Sequence, residues 1–236
     1  MWLIEFLKKN FFIPNFISWF IIRIPAVAEH NIGKYGAIKK AFYLTGLEQL
    51  EGDYLEFGVF TGSSFVCALR AHKTLRYLGN IETSFYGFDS FVGFGEVSEN
   101  DTHPFYQDST FSVHEERVVG NILKKAGNIP VNIISGYFEE TLQGKTAGSL
   151  GVKKARVVLI DCDLKDPTRL SLNFILPVLQ PGTVVIMDDF FSYRGDEEKG
   201  VAGAFSEFCK ENPGISWRKV SDYGYGGVVY IVSSIR

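Results

Sequence analysis

The sequence predicts an α/β fold: a doubly wound, mostly parallel seven-stranded sheet that closes in a C-terminal antiparallel hairpin. Three observations carry this. From residue 54 onward, five short runs rich in Val, Ile and Phe alternate with amphipathic helical segments, the pattern of parallel strands covered on both faces. The last two apolar runs, residues 216–220 and 227–232, are joined by a short glycine-rich link. A link that short permits only an antiparallel pair, because a parallel return needs a crossover of about a dozen residues. Each of the five earlier runs also ends in glycine or polar residues, and ligands of such sheets bind beyond the carboxyl ends of the strands.

The elements follow in order. Residues 25–50 carry Ile38, Ala41, Phe42, Leu44 and Leu47 as an apolar stripe of helical period, which leads into the first strand and is expected to cover one edge of the site. The first strand, 54–57, turns at Gly58 and Gly62 into a helix over 64–77, with Ser63 and Ser64 as candidate N-caps. A second strand, 84–88, ends at Asp89. A polar and aromatic loop, 90–110, follows. Ser112 and Glu115 have the S-x-x-E spacing of a capping box and open the next helix. Strands 131–135, 156–160 and 183–187 complete the parallel set. Asp166 is the expected cap of the helix after the fourth strand, with Pro167 at its first position. A helix near 201–209 precedes the hairpin. The chain divides into an N-terminal apolar arm and helical lid (1–50) and a ligand-binding α/β domain (51–236).

The stretch Asp53-Tyr-Leu-Glu-Phe-Gly-Val-Phe-Thr-Gly-Ser-Ser64 carries the first functional signal. Strand, glycine turn and helix N-terminus together make a site for a polar ligand, since glycine admits close approach and free N–H groups attract anions. The spacing Gly58-x-x-x-Gly62 is not the G-x-G-x-x-G of a dinucleotide fold. Asp89, at the end of the next strand, suits a ribose diol. Asp161, Asp188 and Asp189 end two strands separated by one helix, so their carboxylates meet at the sheet rim. Three close carboxylates repel unless something positive sits among them, and oxygen ligands suit Mg²⁺ or Ca²⁺. Asp163 is a fourth ligand or a supporting group.

Composition narrows the classes. Apolar residues make up 46% of 236 residues, with 21 Phe, which excludes a disordered chain. A net charge of −3 argues against a nucleic-acid partner. Cys67, Cys162 and Cys209 are an odd, scattered set, which fits buried thiols in a reducing compartment, the cytoplasm, better than disulfides or zinc. Residues 2–24 are very apolar but are interrupted by Glu5, Lys8, Lys9, Asn10, Pro14, Asn15 and Arg23. No run of about 18 uncharged apolar residues exists, and no signal-peptide cleavage pattern follows. The arm therefore reads as a lid or dimer-packing segment, or as a peripheral in-plane membrane contact; a homo-oligomer is expected.

Five motifs together resemble the macrocin O-methyltransferase family of class I S-adenosylmethionine-dependent methyltransferases, a family that methylates sugar hydroxyls. They are Leu55-Glu-Phe-Gly-Val-Phe-Thr-Gly-Ser-Ser64, Phe85-Tyr-Gly-Phe-Asp-Ser-Phe91, Gly136-Tyr-Phe-Glu-Glu-Thr-Leu142, Ile160-Asp-Cys-Asp-Leu164 and Val184-Val-Ile-Met-Asp-Asp-Phe190. The resemblance covers roughly residues 50–232 and implies a Rossmann-like methyltransferase fold. It implies S-adenosylmethionine in the cleft, with Glu56, Phe57, Gly58, Thr61, Gly62 and Ser63 around its methionine part. Asp89 and Ser90 would meet the ribose, Gly136, Tyr137 and Phe138 the adenine edge, and Asp161 would lie beside the donor.

It also implies Mg²⁺ at Asp161, Asp188 and Asp189, lowering the pKa of the acceptor hydroxyl and aiming its oxygen at the methyl group. Catechol O-methyltransferases are similar in metal placement but use a lysine base three residues beyond the first aspartate. Here that position is Leu164, with Lys165 one further, so that base is not carried over. Among histidines near the long loop, His103 is favoured as general base over His114, which sits inside the capping pattern. The acceptor is a small molecule or glycan carrying a sugar-like hydroxyl. The apolar arm departs from the family pattern and admits a larger or lipid-linked acceptor. Two rivals remain: a nucleotide-sugar dehydrogenase or epimerase, which would bind NAD, and a cofactor-binding scaffold without catalysis.

Overall fold

A computed structural model describes residues 12–95, 97–106 and 111–236. The seven strands are β1 (Asp53–Phe57), β2 (Phe85–Asp89), β3 (Val131–Ser135), β4 (Ala155–Ile160), β5 (Val184–Met187), β6 (Ile215–Tyr223) and β7 (Gly227–Ile235). They form one sheet in the order β3-β2-β1-β4-β5-β7-β6. The first five run parallel, while β7 inserts antiparallel between β5 and β6. The predicted mixed sheet and terminal hairpin are thus observed. The strand order reverses between β1 and β4, the switch point at which ligands of such sheets bind.

Seven helices accompany the strands among the described residues: α1 (Phe12–Ile21), α2 (Ala26–Leu47), α3 (Ser63–Thr74), α4 (Glu115–Ala126), the single turn α5 (Phe138–Thr141), α6 (Lys165–Ile175) and α7 (Gly200–Glu211). The continuous apolar runs of β4 and β5 are explained by burial on both faces. Val158, Ile160, Val185 and Met187 pack with Leu172 and Phe174 of α6 and Phe205 of α7. Val157, Leu159, Val184 and Ile186 pack on the other face with Ile38 and Phe42 of α2 and Phe65 and Leu69 of α3.

The α2 stripe shifts toward its end. Thr45 and Gly46 are buried where Leu47 was expected, and Leu47 is exposed. The reason is Arg156 on β4, a buried guanidinium that donates to the Thr45 hydroxyl (2.8 Å) and the Phe42 carbonyl (3.4 Å).

Three helix starts differ from their sequence signals. Gly62, in the left-handed conformation, precedes α3, and neither Ser63 nor Ser64 caps it. His114 precedes α4, while Ser112 is held in a bridge to Val92 and the Glu115 side chain accepts from Ser135. Leu164 precedes α6, so Asp166 and Pro167 fall inside the first turn. The α6 cap comes from far away. The Asp101 carboxylate accepts from the N–H groups of Lys165 (2.8 Å) and Asp166 (3.4 Å), satisfying orphan donors that a local residue usually takes.

Candidate active site

The carboxyl ends of β2, β1, β4 and β5 lie side by side because the ladder continues one residue past each strand. Gly58 N donates to Phe88 O (2.9 Å), Asp161 N to Phe57 O (2.8 Å) and Asp188 N to Ile160 O (2.9 Å). This alignment brings the glycine loop, Asp89 and the acidic residues to one rim. A cavity of about 620 Å³ opens there, of a size that encloses a small molecule.

Gly58 has φ +93°, and a Cβ there would lie 1.9 Å from the Asp161 carbonyl oxygen. The residue must be glycine for β1 and β4 to turn this close together. Beyond it the chain turns at Phe60, whose φ of +47° is unusual for a bulky residue. The Asp89 carboxylate holds that turn by accepting from Phe60 N (2.7 Å) and Phe91 N (2.6 Å). Burial raises the Asp89 pKa, while those N–H groups oppose the rise. The Val59 N–H also bears on the carboxylate, and the acceptor capacity that remains is open to a ligand.

Phe60, Phe91, Asp163 and Asp189, with φ between +47° and +61°, each follow the end of a different strand. Strained backbone thus recurs around the cavity, as at many functional sites.

The predicted site residues fall into two groups. Gly58, Thr61, Ser63, Asp89 and Ser90 line the cavity, as do Tyr137, Phe138, Asp161, Asp188 and Asp189. The Ser90 hydroxyl is already committed to Gly93 O (2.6 Å). Glu56, Phe57, Gly62, Gly136 and His103 lie outside the lining. Glu56 and Phe57 are fully buried beneath the glycine loop. Glu56 accepts from the Tyr54 hydroxyl (2.5 Å) and from Ser64 Oγ (2.6 Å). Burial pushes its pKa up to about 7 even so. It braces the glycine loop from behind through Ser64.

Gly62 and Gly136 serve as positive-φ turns, at +76° and +134°. His103 sits behind the lining residue Tyr106. Its ring stacks on Tyr106 (centroids 4.3 Å apart) and meets Tyr193 edge-on, and Nδ1 accepts from Phe105 N (3.2 Å). The imidazole expected to serve as base is thus packed within the aromatic loop, with Nδ1 engaged.

The acidic rim also differs from its expected form. One oxygen each of Asp161, Asp163 and Asp189 lies within 4.8 Å of the others. Asp163 therefore joins the group, and its φ of +61° swings it there. Asp188 is outside that trio but stays within hydrogen-bond reach of Asp161 and lines the same cavity. It accepts from the Tyr223 hydroxyl (3.0 Å) and from His30 Nε2 (3.0 Å), and it pairs with Lys34. The Lys34 ammonium also donates to Asp161 Oδ2 (2.8 Å).

Burial alone would lower the Lys34 pKa, but the charges of Asp161 and Asp188 outweigh it and hold the ammonium far above its usual range. Burial alone would raise Asp188, but the His30 hydrogen bond and the Lys34 charge hold it well below the usual carboxylate range. Asp161 is raised by burial and by Asp188, with Lys34 opposing. Asp163 is raised by burial and by Asp189.

His30 and Lys34 are the residues that sequence reasoning missed. They sit one turn apart on α2, so they share a face. Tyr225 N donates to His30 Nδ1 (3.2 Å) and the Tyr225 ring stacks on the imidazole. Nδ1 is then the acceptor, and Nε2 carries the hydrogen given to Asp188. One signal was present: Lys34 is in phase with the buried stripe Ala37, Ile38, Ala41 and Phe42, and a charge on an apolar stripe implies a buried partner.

Comparison with known proteins agrees with this architecture. A curated relative from Streptomyces olivaceus, 8-demethyl-8-(2,3-dimethoxy-alpha-L-rhamnosyl)-tetracenomycin-C 4'-O-methyltransferase, is 30% identical over 188 residues, or 71% of this chain; the match spans 66% of that protein. The structure of the O-methyltransferase NovP superposes with a TM-score of 0.67 at 22% identity, covering 84% of this chain and 79% of that one. A calicheamicin methyltransferase superposes with a TM-score of 0.65 at 18% identity, covering 97% and 89%. Both of these likenesses concern the fold. The family described as "Methyltransferase domain" matches residues 55–190, more than half of the chain, and the chain belongs to that family.

Proposed function

We propose that the chain is an S-adenosylmethionine-dependent O-methyltransferase that acts, with Mg²⁺, on a sugar-like hydroxyl of a natural product or glycan precursor. One observation carries the reading: a single cavity is lined both by the glycine loop and Asp89 and by Asp161, Asp163 and Asp189. A donor and an acceptor held there would meet inside it. The curated relative, whose name describes 4'-O-methylation of a rhamnosyl group, supports the sugar-like acceptor. The family match and the absence of a G-x-G-x-x-G spacing favour this reading over a dehydrogenase.

The donor set suits a hard cation, because three carboxylate oxygens converge with cavity space beside them. Asp161, Asp163 and Asp189 would hold it, and Asp188 stays with Lys34 and His30. When bound, Mg²⁺ supplies Lewis-acid stabilisation of an alkoxide. The protein's own work is positioning. Gly58 lets the donor approach the backbone, and Asp89 offers its remaining acceptor capacity to a diol. Lys34, itself part of the cavity lining, holds Asp161 in place. His30 lines the cavity with both ring nitrogens engaged, and among the described residues the rim carboxylates would be available to accept the hydroxyl's proton. Methyl transfer would then be one in-line displacement, the C–O bond forming as the C–S bond breaks and S-adenosylhomocysteine leaves.

Calorimetric titration with S-adenosylmethionine, and turnover on deoxysugar glycosides with and without a chelator, test the reading. Binding of the donor and loss of turnover with chelator and in Asp161→Asn or Asp189→Asn are expected. Unchanged turnover in both variants removes the metal role. Binding of NAD in place of S-adenosylmethionine overturns the reading.

A further inference from the structure

No residue of α1 is buried. At about 100° per residue, its Phe, Ile and Trp side chains occupy an arc of roughly 200°. The remainder holds only Pro14, Asn15 and Ser18. Phe16 and Phe20 are 65% and 57% exposed. An arc this wide exceeds what one partner helix covers, since a helix–helix seam is a narrow stripe. A continuous apolar phase covers it completely.

Charge points the same way. From Phe6 to Ala28 the sequence has no acidic residue, while Lys8, Lys9 and Arg23 are basic. The Arg23 guanidinium lies over the Trp19 ring, 4.1 Å from its centroid. Trp and a snorkelling cation at the end of an apolar helix are suited to the headgroup level of a bilayer. Ten residues make a helix about 15 Å long, half the hydrocarbon thickness. No single helix among the described residues is long and apolar enough to cross a membrane, and α1 meets α2 at a bend of 87°. The geometry suits lying on a surface.

We propose that α1 docks the chain on an anionic phospholipid surface, with its apolar arc among the acyl chains and Arg23 at the phosphates. Ala26 and Val27, in the first turn of α2, line the cavity, so the docked segment leads directly into the cavity wall. The proposal is independent of the methyl-transfer reading.

The test is flotation of the full chain with vesicles of phosphatidylcholine, with and without phosphatidylglycerol. The chain is expected to float with the mixed vesicles, less so at high salt. The triple variant Phe16→Ser, Trp19→Ser, Phe20→Ser is expected to stay in the dense fraction with an unchanged melting temperature, because none of the three side chains is buried. Retention of the full chain in the dense fraction with both vesicle types overturns the proposal, as does equal flotation of the triple variant. Absence of flotation together with a concentration-dependent dimer that the variant abolishes would assign the arc to a second copy instead.

Discussion

The two walls of the cavity are built by different means. The glycine-loop wall is made by backbone: Gly58 and Phe60 at positive φ, and N–H groups of Phe60 and Phe91 gathered by one carboxylate. Its parts lie within residues 54–91. The acidic wall is made by charged side chains from α2, the two central strand ends and the hairpin, drawn from residues 30–225. The first wall is fixed by what a short segment can adopt. The second is fixed by compensation between buried charges that meet only in the folded chain. A backbone wall fails by steric overlap, whereas a charge wall fails by losing balance and so responds to pH.

Gly58→Ala tests the backbone wall and has the largest expected effect. The added carbon would overlap the Asp161 carbonyl at 1.9 Å and would sit at a φ of +93°. A stability loss of about 3 kcal/mol or more is expected, together with loss of donor binding. An unchanged melting temperature and an unchanged calorimetric affinity would break the account of this wall.

Lys34→Met tests the charge wall. Two buried carboxylates would lose their shared cation, at a cost of about 3–5 kcal/mol near neutral pH. The signs are opposite for the two partners. Asp188 is depressed in the folded state, so its contribution is present above about pH 4 and is lost in stronger acid. Lys34 is raised, so its contribution is present below about pH 10 and is lost in stronger base. Between these limits the pair is intact. In the variant the carboxylates regain stability only by taking up protons, so its urea midpoint should climb as pH falls from neutral toward 5. A midpoint parallel to that of the parent across this range would show that Lys34 does not carry the wall.

A smaller effect is expected from Glu56→Gln, because Glu56 is the single buried charge behind the backbone wall. Its pKa rises from 4.5 to about 7 on folding. A raised carboxyl binds its proton more tightly when folded, so the parent loses up to about 3 kcal/mol as pH climbs through that interval. Gln carries no such proton. The gap between variant and parent should open between these two pH values and stay level above them, read from unfolding midpoints.

The same contrast explains what was legible in the sequence. Strand runs, glycine turns and the hairpin are local signals, and they gave the sheet and its rim. Asp161, Asp188 and Asp189 were legible because they lie within two residues of a strand end. The partition among them was not. Asp163 joins through a left-handed backbone conformation, and Asp188 is engaged by His30, Lys34 and Tyr223, contacts that span 35 to 158 residues. His103 packs against Tyr106 and Tyr193 outside the cavity lining, a placement that proximity to the loop could not reveal. The α6 cap failed for a related reason: Asp101, 64 residues away, outcompetes the local Asp166.

The left-handed residues Phe60, Phe91, Asp163 and Asp189 carry a cost for the whole molecule. Each such conformation costs about 1–3 kcal/mol, and the net stability of a domain is about 5–15 kcal/mol. A cavity edge that spends several kcal/mol to hold its shape leaves little margin elsewhere. The two apolar layers on either side of the sheet must over-determine the fold for that edge to persist. Substitutions to glycine or asparagine at these four positions are therefore the places to look for gains in thermal tolerance at the expense of site geometry.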